Sequence, residues 1–229
     1  MKEVYFFDFD GVICNSYQEC FYIAYRVVFQ KDFKNFKIFY NKYYEKIIAY
    51  NTYVVKGIDF CKIFILIKKK IEAKNLNFQI NNDYKKRFYE ERAKFRKENF
   101  KKWVGLNPFY KEIVSIFKKN KTKDFFIISN KDYKSIKVLL KYNKVKIPLK
   151  NIYSKELFRS KNQILNKFSK NNQIYFFDDQ ITNLIKIKND NIKKFLILNR
   201  EKKYKNINEI IKKYQISLIK HEKINQVIK

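Results

Sequence analysis

Residues 4–16, VYFFDFDGVICNS, set a short apolar run directly against two acids. Val4 to Phe7 read as a buried strand, and Gly11 closes it. Asp8 and Asp10 stand two positions apart at its C-terminal end, so an extended backbone points both carboxylates to one side. Like charges that close repel, and burying them is costly unless a cation or hydrogen bonds compensate. Asp-Gly is also a common surface-turn dipeptide, but the strand before it argues against that reading. Open parallel sheets carry their ligands at the carboxyl ends of strands, where this pair falls.

The same pattern returns twice downstream. Asp124 to Asn130, "DFFIISN", is an apolar strand ending in small polar residues. Ile174–Phe177 is another buried strand and runs straight into Asp178-Asp179, with Asn183 four residues beyond. Two adjacent acids at the end of a hydrophobic strand have no ready structural explanation. Asn151–Tyr153 and Lys194–Leu198 predict two further strands, and Ile216–Ile219 an edge strand.

Between these strands the pattern is helical. Ser16 is placed to cap a helix over Tyr17 to Phe29. Lys34–Ala49, Asp59–Lys74 and Asn82–Lys102 follow, broken by Asn51-Thr52 and Gly57, then by Asn75–Asn81. With no alternating strand pattern, this stretch reads as a helical insertion of about 90 residues, enough for a small domain. Asn107-Pro108 predicts a helix start, Asn as cap and Pro at the first position, with a stripe through Phe109, Ile113, Ile116 and Phe117. Helices are also expected over Tyr133–Tyr142, from Lys161 ("KNQILNKF"), over Ile207–Tyr214 and at the C-terminus. His221, the single histidine, reads as a surface residue far from the acids.

Composition narrows the function classes. With 229 residues and 46% hydrophobic content, the chain can bury a sizeable core. Its three cysteines, Cys14, Cys20 and Cys61, are spread without a CxxC pairing, which points to a reducing compartment and away from a metal–thiolate cluster. The apolar residues 63–67 end at Lys68 to Lys70, far short of a membrane span, and the N-terminus has no signal-peptide pattern. A cytoplasmic setting is expected, without membrane. The net charge of +30 would ordinarily suggest nucleic acid. Here lysine far outnumbers arginine and is dispersed, and Asn, Ile, Phe and Tyr are enriched beside it. All five have A/T-rich codons, so a solvated, genome-biased surface explains the charge and nucleic acid is not expected as a partner. Some attraction to phosphorylated anions would still follow from the field.

"DFDGV" followed by "NS" resembles the first motif of the haloacid dehalogenase-like phosphohydrolases, Asp-x-Asp-Gly-(Thr/Val) after a hydrophobic strand. Ser129 matches the second motif, and "SNK" is similar to the phosphoglycolate phosphatase-like branch. Lys161 matches the third, a lysine at a helix start, with Asn162 where Pro is usual and Lys155 as rival. "FFDDQITNL" resembles the Asp-Asp-x-x-x-Asn form of the fourth. Alternating strands and helices imply a parallel α/β sheet, and the resemblance makes it Rossmann-like, with core strands ordered 5-4-1-2-3. It implies an α/β core over residues 1–14 and 104–229 with an inserted α-helical cap over residues 15–103.

The resemblance also implies a Mg²⁺-dependent phosphatase acting on a small phosphorylated metabolite. Asp8 would be the nucleophile and Asp10 the acid–base. Asp8, the Asp10 backbone carbonyl and Asp179 would hold Mg²⁺, with Asp178 and Asn183 behind them. Ser129, Asn130 and Lys161 would hold the phosphoryl oxygens. Lys56, before Gly57 in the cap, would contact the substrate's distal end. Dehalogenase members lack the second Asp, so Asp10 favours phosphatase; a sugar-phosphate mutase of the same superfamily and a non-catalytic polyanion-binding module are the alternatives.

Overall fold

Lys2–Phe7 forms the first strand, β1, and five more follow: β2 (Phe125–Ile128), β3 (Ile152–Tyr153), β4 (Asn172–Asp178), β5 (Ile192–Ile197) and β6 (Ile216–Ile219). In the computed structural model, which describes residues 1–50, 54, 56–71, 80–198, 204 and 206–228, these strands pair in parallel in the order β3-β2-β1-β4-β5-β6. The helices are α1 (Tyr17–Phe29), α2 (Phe33–Ala49), α3 (Phe60–Lys69), α4 (Asn82–Glu98), α5 (Phe100–Gly105), α6 (Lys111–Lys119), α7 (Tyr133–Tyr142), α8 (Lys161–Ser169), α9 (Ile181–Leu184) and α10 (Ile207–Tyr214). Of the breaks expected from the sequence, 51–52 and 75–79 lie outside the described residues.

A parallel sheet covered on both faces needs strands that are apolar throughout, not alternating. The central strands obey this: Phe6, Phe7, Ile127, Ile128, Phe176 and Phe177 are all buried. Ring pairs across the strands pin the register. Phe7 lies beside Phe177 and stacks on it at 4.9 Å, 9° from parallel, and Phe6 stacks on Phe126 at 4.9 Å. That register brings the residue after Phe7, Asp8, level with Asp178. The connections out of β1 and β4 lead to opposite halves of the sheet, so the strand order reverses between them. Such a switch point is where open α/β sheets place a ligand.

The chain divides into two compact units. The sheet unit holds residues 1–15, 108–198 and 206–228; the second holds the described residues between 16 and 107, together with Tyr204. The second unit is helical, its core made of rings such as Phe21 against Phe60 (4.2 Å) and Tyr22 against Phe95 (4.8 Å). Inside it lies a polar group the sequence did not announce. The guanidinium of Arg92 donates two 2.8 Å hydrogen bonds to the buried Glu19 carboxylate, and Trp103 Nε1 donates a third at 3.3 Å. A fork-to-fork pair of this kind satisfies a charge that burial would otherwise make very costly. Gly57 is small for the same reason: a Cβ there would sit 2.7 Å from Cys20 Sγ and 3.2 Å from an Arg92 nitrogen.

Several helix boundaries differ from expectation. The pattern over Asn82–Lys102 is two helices, because Asn99 leaves helical geometry at φ −129°, ψ 48°. The turn carries Trp103 into the core, where it meets Glu19. The helix expected through Lys74 stops at Lys70, which takes a left-handed conformation at φ 56°. Ser16 holds the N-cap position of α1 without a capping side-chain bond. Asn107-Pro108 does not start a helix. Asn107 closes α5 by donating Nδ2 to the Trp103 carbonyl (2.8 Å), and Pro108 accepts from the Asn15 amide (2.8 Å). Phe109 pairs in extended form with Cys14, and α6 begins only at Lys111. Proline disfavours helical geometry in the residue before it, and pairing with the loop after β1 holds the next residues extended. The final helix is a 3-10 turn over His221–Gln226.

Candidate active site

The site is built on two adjacent strand ends. At Asp8 the ladder continues for one more bond, its amide donating to the Phe177 carbonyl at 2.8 Å. The chain then folds into a tight loop: the Gly11 amide donates to the Cys14 carbonyl (2.7 Å), and the Ile13 and Cys14 amides donate to the Phe9 carbonyl (3.0 and 2.9 Å). Gly11 has φ +84°, a conformation open to glycine and strained for other residues. Its missing side chain matters as much. A Cβ on Gly11 would overlap Oδ2 and Cγ of Asp179. The carboxylate of Asp179 therefore lies directly against the bare Cα of the loop after β1.

Asp178 is fully buried, with both oxygens occupied. Oδ1 accepts from the Gln180 amide (2.7 Å), and Oδ2 accepts from Lys161 Nζ (2.7 Å) and Asn183 Nδ2 (2.9 Å). Lys161 is the first residue of α8, behind the N-cap Ser160. Its ammonium reaches both strand ends, since Nζ also lies 3.0 Å from Asp8 Oδ1. Asp8, Asp178 and Asp179 each offer an oxygen, all within 4.8 Å of one another. Burial pushes the Asp8 carboxyl up to about 7; Lys161 opposes this, and the charges of Asp178, Asp179 and Asp10 add to it. Burial disfavours the charged form of Lys161, but Asp178 and Asp8 outweigh it and hold the ammonium well above its usual range. Hard oxygen donors gathered around a repelling, buried carboxylate suit a divalent cation such as Mg²⁺.

Asp10 turns elsewhere. Its side chain is about one-third exposed, and Oδ1 accepts from Lys131 Nζ at 3.0 Å. Ser129 is buried at the end of β2, where its amide donates to the Tyr153 carbonyl (2.9 Å) and its Oγ accepts from the Lys131 amide (3.3 Å). Asn130 beside it is half-buried. Lys155, the rival of Lys161, lies between β3 and α8. Lys56 is exposed in the helical unit, its amide donating to Asp59 Oδ2 at 2.9 Å ahead of the 3-10 turn at Gly57–Asp59.

Two residues near the site escaped the sequence reading. Lys131 was visible as the last letter of "SNK", yet nothing separated it from the other lysines. His221 is not the surface residue expected. Its ring stacks on Tyr110 at 3.8 Å, close to the backbone of Val12 and Gly11 in the loop after β1. Burial lowers its pKa, those backbone groups and the nearby Glu112 and Glu222 offsetting part of the effect. The β6 strand brings it there, a long-range consequence with no local signal. No helix among the described residues is long and apolar enough to cross a membrane.

No protein-family model and no curated protein matches the chain. Solved structures do. A predicted phosphoglycolate phosphatase from Haemophilus somnus aligns over 100% of this chain and 98% of its own, with TM-score 0.65 and 12% identity. A haloacid dehalogenase-like family hydrolase from Streptococcus pneumoniae aligns over 100% and 97%, with TM-score 0.59 and 13% identity. A β-phosphoglucomutase from Clostridium difficile aligns over 98% and 93%, with TM-score 0.56 and 16% identity. The chain has the haloacid dehalogenase-like fold.

Proposed function

We propose that this chain, built on the haloacid dehalogenase-like fold, is a Mg²⁺-dependent phosphatase that hydrolyses a small phosphorylated metabolite through an aspartyl-phosphate. The observation that carries the reading is the buried Asp8 carboxylate at a strand end, 3.0 Å from Lys161 and beside Asp178 and Asp179. Phosphate monoesters hydrolyse very slowly unaided, so such a site must aim a nucleophile and neutralise charge. An Asp8 oxygen forms the new bond to phosphorus as the ester P–O bond breaks, and Asp10 gives the leaving oxygen its proton. Asp10 then takes a proton from the water that attacks phosphorus, and the bond to Asp8 breaks. Lys161, Ser129 and the Asn130 backbone hold the phosphoryl oxygens. Asp8, Asp179 and the Asp10 backbone carbonyl would hold Mg²⁺, with Asp178 acting through water. When bound, the cation supplies charge neutralisation for the phosphoryl group. Asn183, bonded to Asp178, acts by orienting it.

The test is phosphate release from a panel of phosphorylated sugars, nucleotides and short acids, with Mg²⁺ and with excess chelator. Release with Mg²⁺, its loss on chelation and an acid-stable acyl-phosphate on the protein are the expected results. No turnover anywhere on the panel would overturn the reading, and an isomer formed only with a bisphosphate activator would replace it with a mutase. Lys56 as the contact for the distal group rests on the sequence resemblance. Lys56→Ala is expected to cost about 1–3 kcal/mol in catalytic efficiency on the best substrate and almost nothing on a plain aryl phosphate. Equal small effects on both would return Lys56 to the solvated surface.

A further inference from the structure

We propose that Lys131 is a positioning residue for the leaving-group step: its ammonium pins one oxygen of Asp10 so that the other faces the departing oxygen. The inference rests on the phosphatase reading and extends it to a residue that the reading leaves without a role. The side chain of Lys131 is 0% exposed, whereas that of its partner Asp10 is 34% exposed. A lysine ammonium is rarely taken so far from water, because its desolvation is costly unless a carboxylate answers it. The Asp10 carboxylate does so at 3.0 Å, and the Phe9 ring lies 5.9 Å from the same Nζ.

Both partners stand on firmly held backbone. The Lys131 amide donates to Ser129 Oγ on one side. On the other, Asp132 caps α7, its Oδ1 accepting from the Ser135 amide at 2.9 Å. Asp10 rides on the tight loop closed by the bond from Gly11 to Cys14. The contact is therefore made between two fixed points, by a buried ammonium onto an acid whose side chain is about one-third exposed. A carboxyl oxygen accepts a hydrogen bond from an ammonium whether the group is protonated or ionised. Oδ1 can keep its lysine through the whole cycle while Oδ2 carries the proton. In the first step that proton passes to the ester oxygen as its bond to phosphorus breaks and the Asp8–phosphorus bond forms. In the second, Oδ2 takes a proton from the attacking water as the Asp8–phosphorus bond breaks. Lys131 exchanges no proton in either step; it limits the orientations the acid can take.

The role predicts dependence on the leaving group. An alkoxide needs its proton, whereas 2,4-dinitrophenolate leaves without one. kcat/KM, which reports steps up to phosphoryl transfer, is measured for glycerol phosphate and for 2,4-dinitrophenyl phosphate. Lys131→Met is expected to lower it by about 10²-fold on the alkyl ester and by no more than about threefold on the aryl ester. Lys131→Gln, which retains a donor, is expected to show the same selectivity with a smaller loss, and it serves alone if the Met variant does not fold. In an Asp10→Asn background, Lys131→Met is expected to add less than about threefold, because the two residues act as one unit. Equal losses on both esters, no loss on either, or full additivity with Asp10→Asn would overturn the assignment. Wild-type protein that released phosphate from neither ester would instead remove the phosphatase reading itself, before any variant is compared.

Discussion

Asp8→Asn is expected to abolish phosphate release, with a loss on the order of 10⁵-fold, the scale on which removal of an enzyme's nucleophile is felt. Asn is nearly isosteric and a poor nucleophile, and its side-chain oxygen can still accept from Lys161, now 3.0 Å from Oδ1. Lys161 also keeps its 2.7 Å bond to Asp178. The fold should therefore survive, and in chelator it should gain at alkaline pH. Asp8 has its carboxyl raised from 3.8 to about 7 in the folded state, first by burial. Stability from the protonated form is whole below about 3.8 and is lost as pH rises through about 7. The Asn variant has no such group to ionise. Thermal melts of the metal-free proteins across this range should show the variant drawing ahead of the wild type as pH rises. Substantial turnover by the variant would remove Asp8 as the nucleophile; parallel melting curves would remove the buried-charge argument.

Gly11→Ala is the second large effect, and it acts through Asp179 although the two are far apart in sequence. The substitution meets two penalties. At φ +84° an alanine is strained, by about 1–3 kcal/mol. Its Cβ would also overlap the Asp179 carboxyl group, which must move away from Asp8 and Asp178. Activity is expected to fall by about 10²-fold, the order of loss when the surroundings of a metal ligand are disturbed. The Mg²⁺ concentration needed for half-maximal activity should rise with it. Asp179→Ala is expected to raise the Mg²⁺ requirement in the same way. Combining the two should cost far less than the sum, because both remove one carboxylate from one place. Asn183 changes should be milder than Asp179 changes. A Gly11→Ala protein with normal Mg²⁺ dependence would show that Asp179 can be displaced without consequence.

The amino-acid sequence by itself determined the α/β core and the strand ends that carry its acids. Runs such as Val4 to Phe7 and Ile174–Phe177 are continuously apolar because both faces of a parallel sheet are covered, and that burial is written in consecutive letters. Asp8 and Asp178-Asp179 stand out for the same reason, as charges placed directly after an apolar run and themselves buried. Helix boundaries were less legible. Asn107-Pro108 carries good start signals, yet the chain stays extended there because Phe109 pairs with Cys14, far away along the chain. Only the tertiary structure decided which of many lysines are buried ion-pair partners. Lys161 and Lys131 differ from their neighbours solely by what faces them: Asp8 and Asp178 for one, Asp10 across 121 positions of sequence for the other. The bare Cα of Gly11 against Asp179, and His221 behind the same loop, arise likewise. Periodicity and propensity report how a residue meets its own element. The partner of a charge is set by which strand ends the sheet order makes neighbours, and no local pattern carries that.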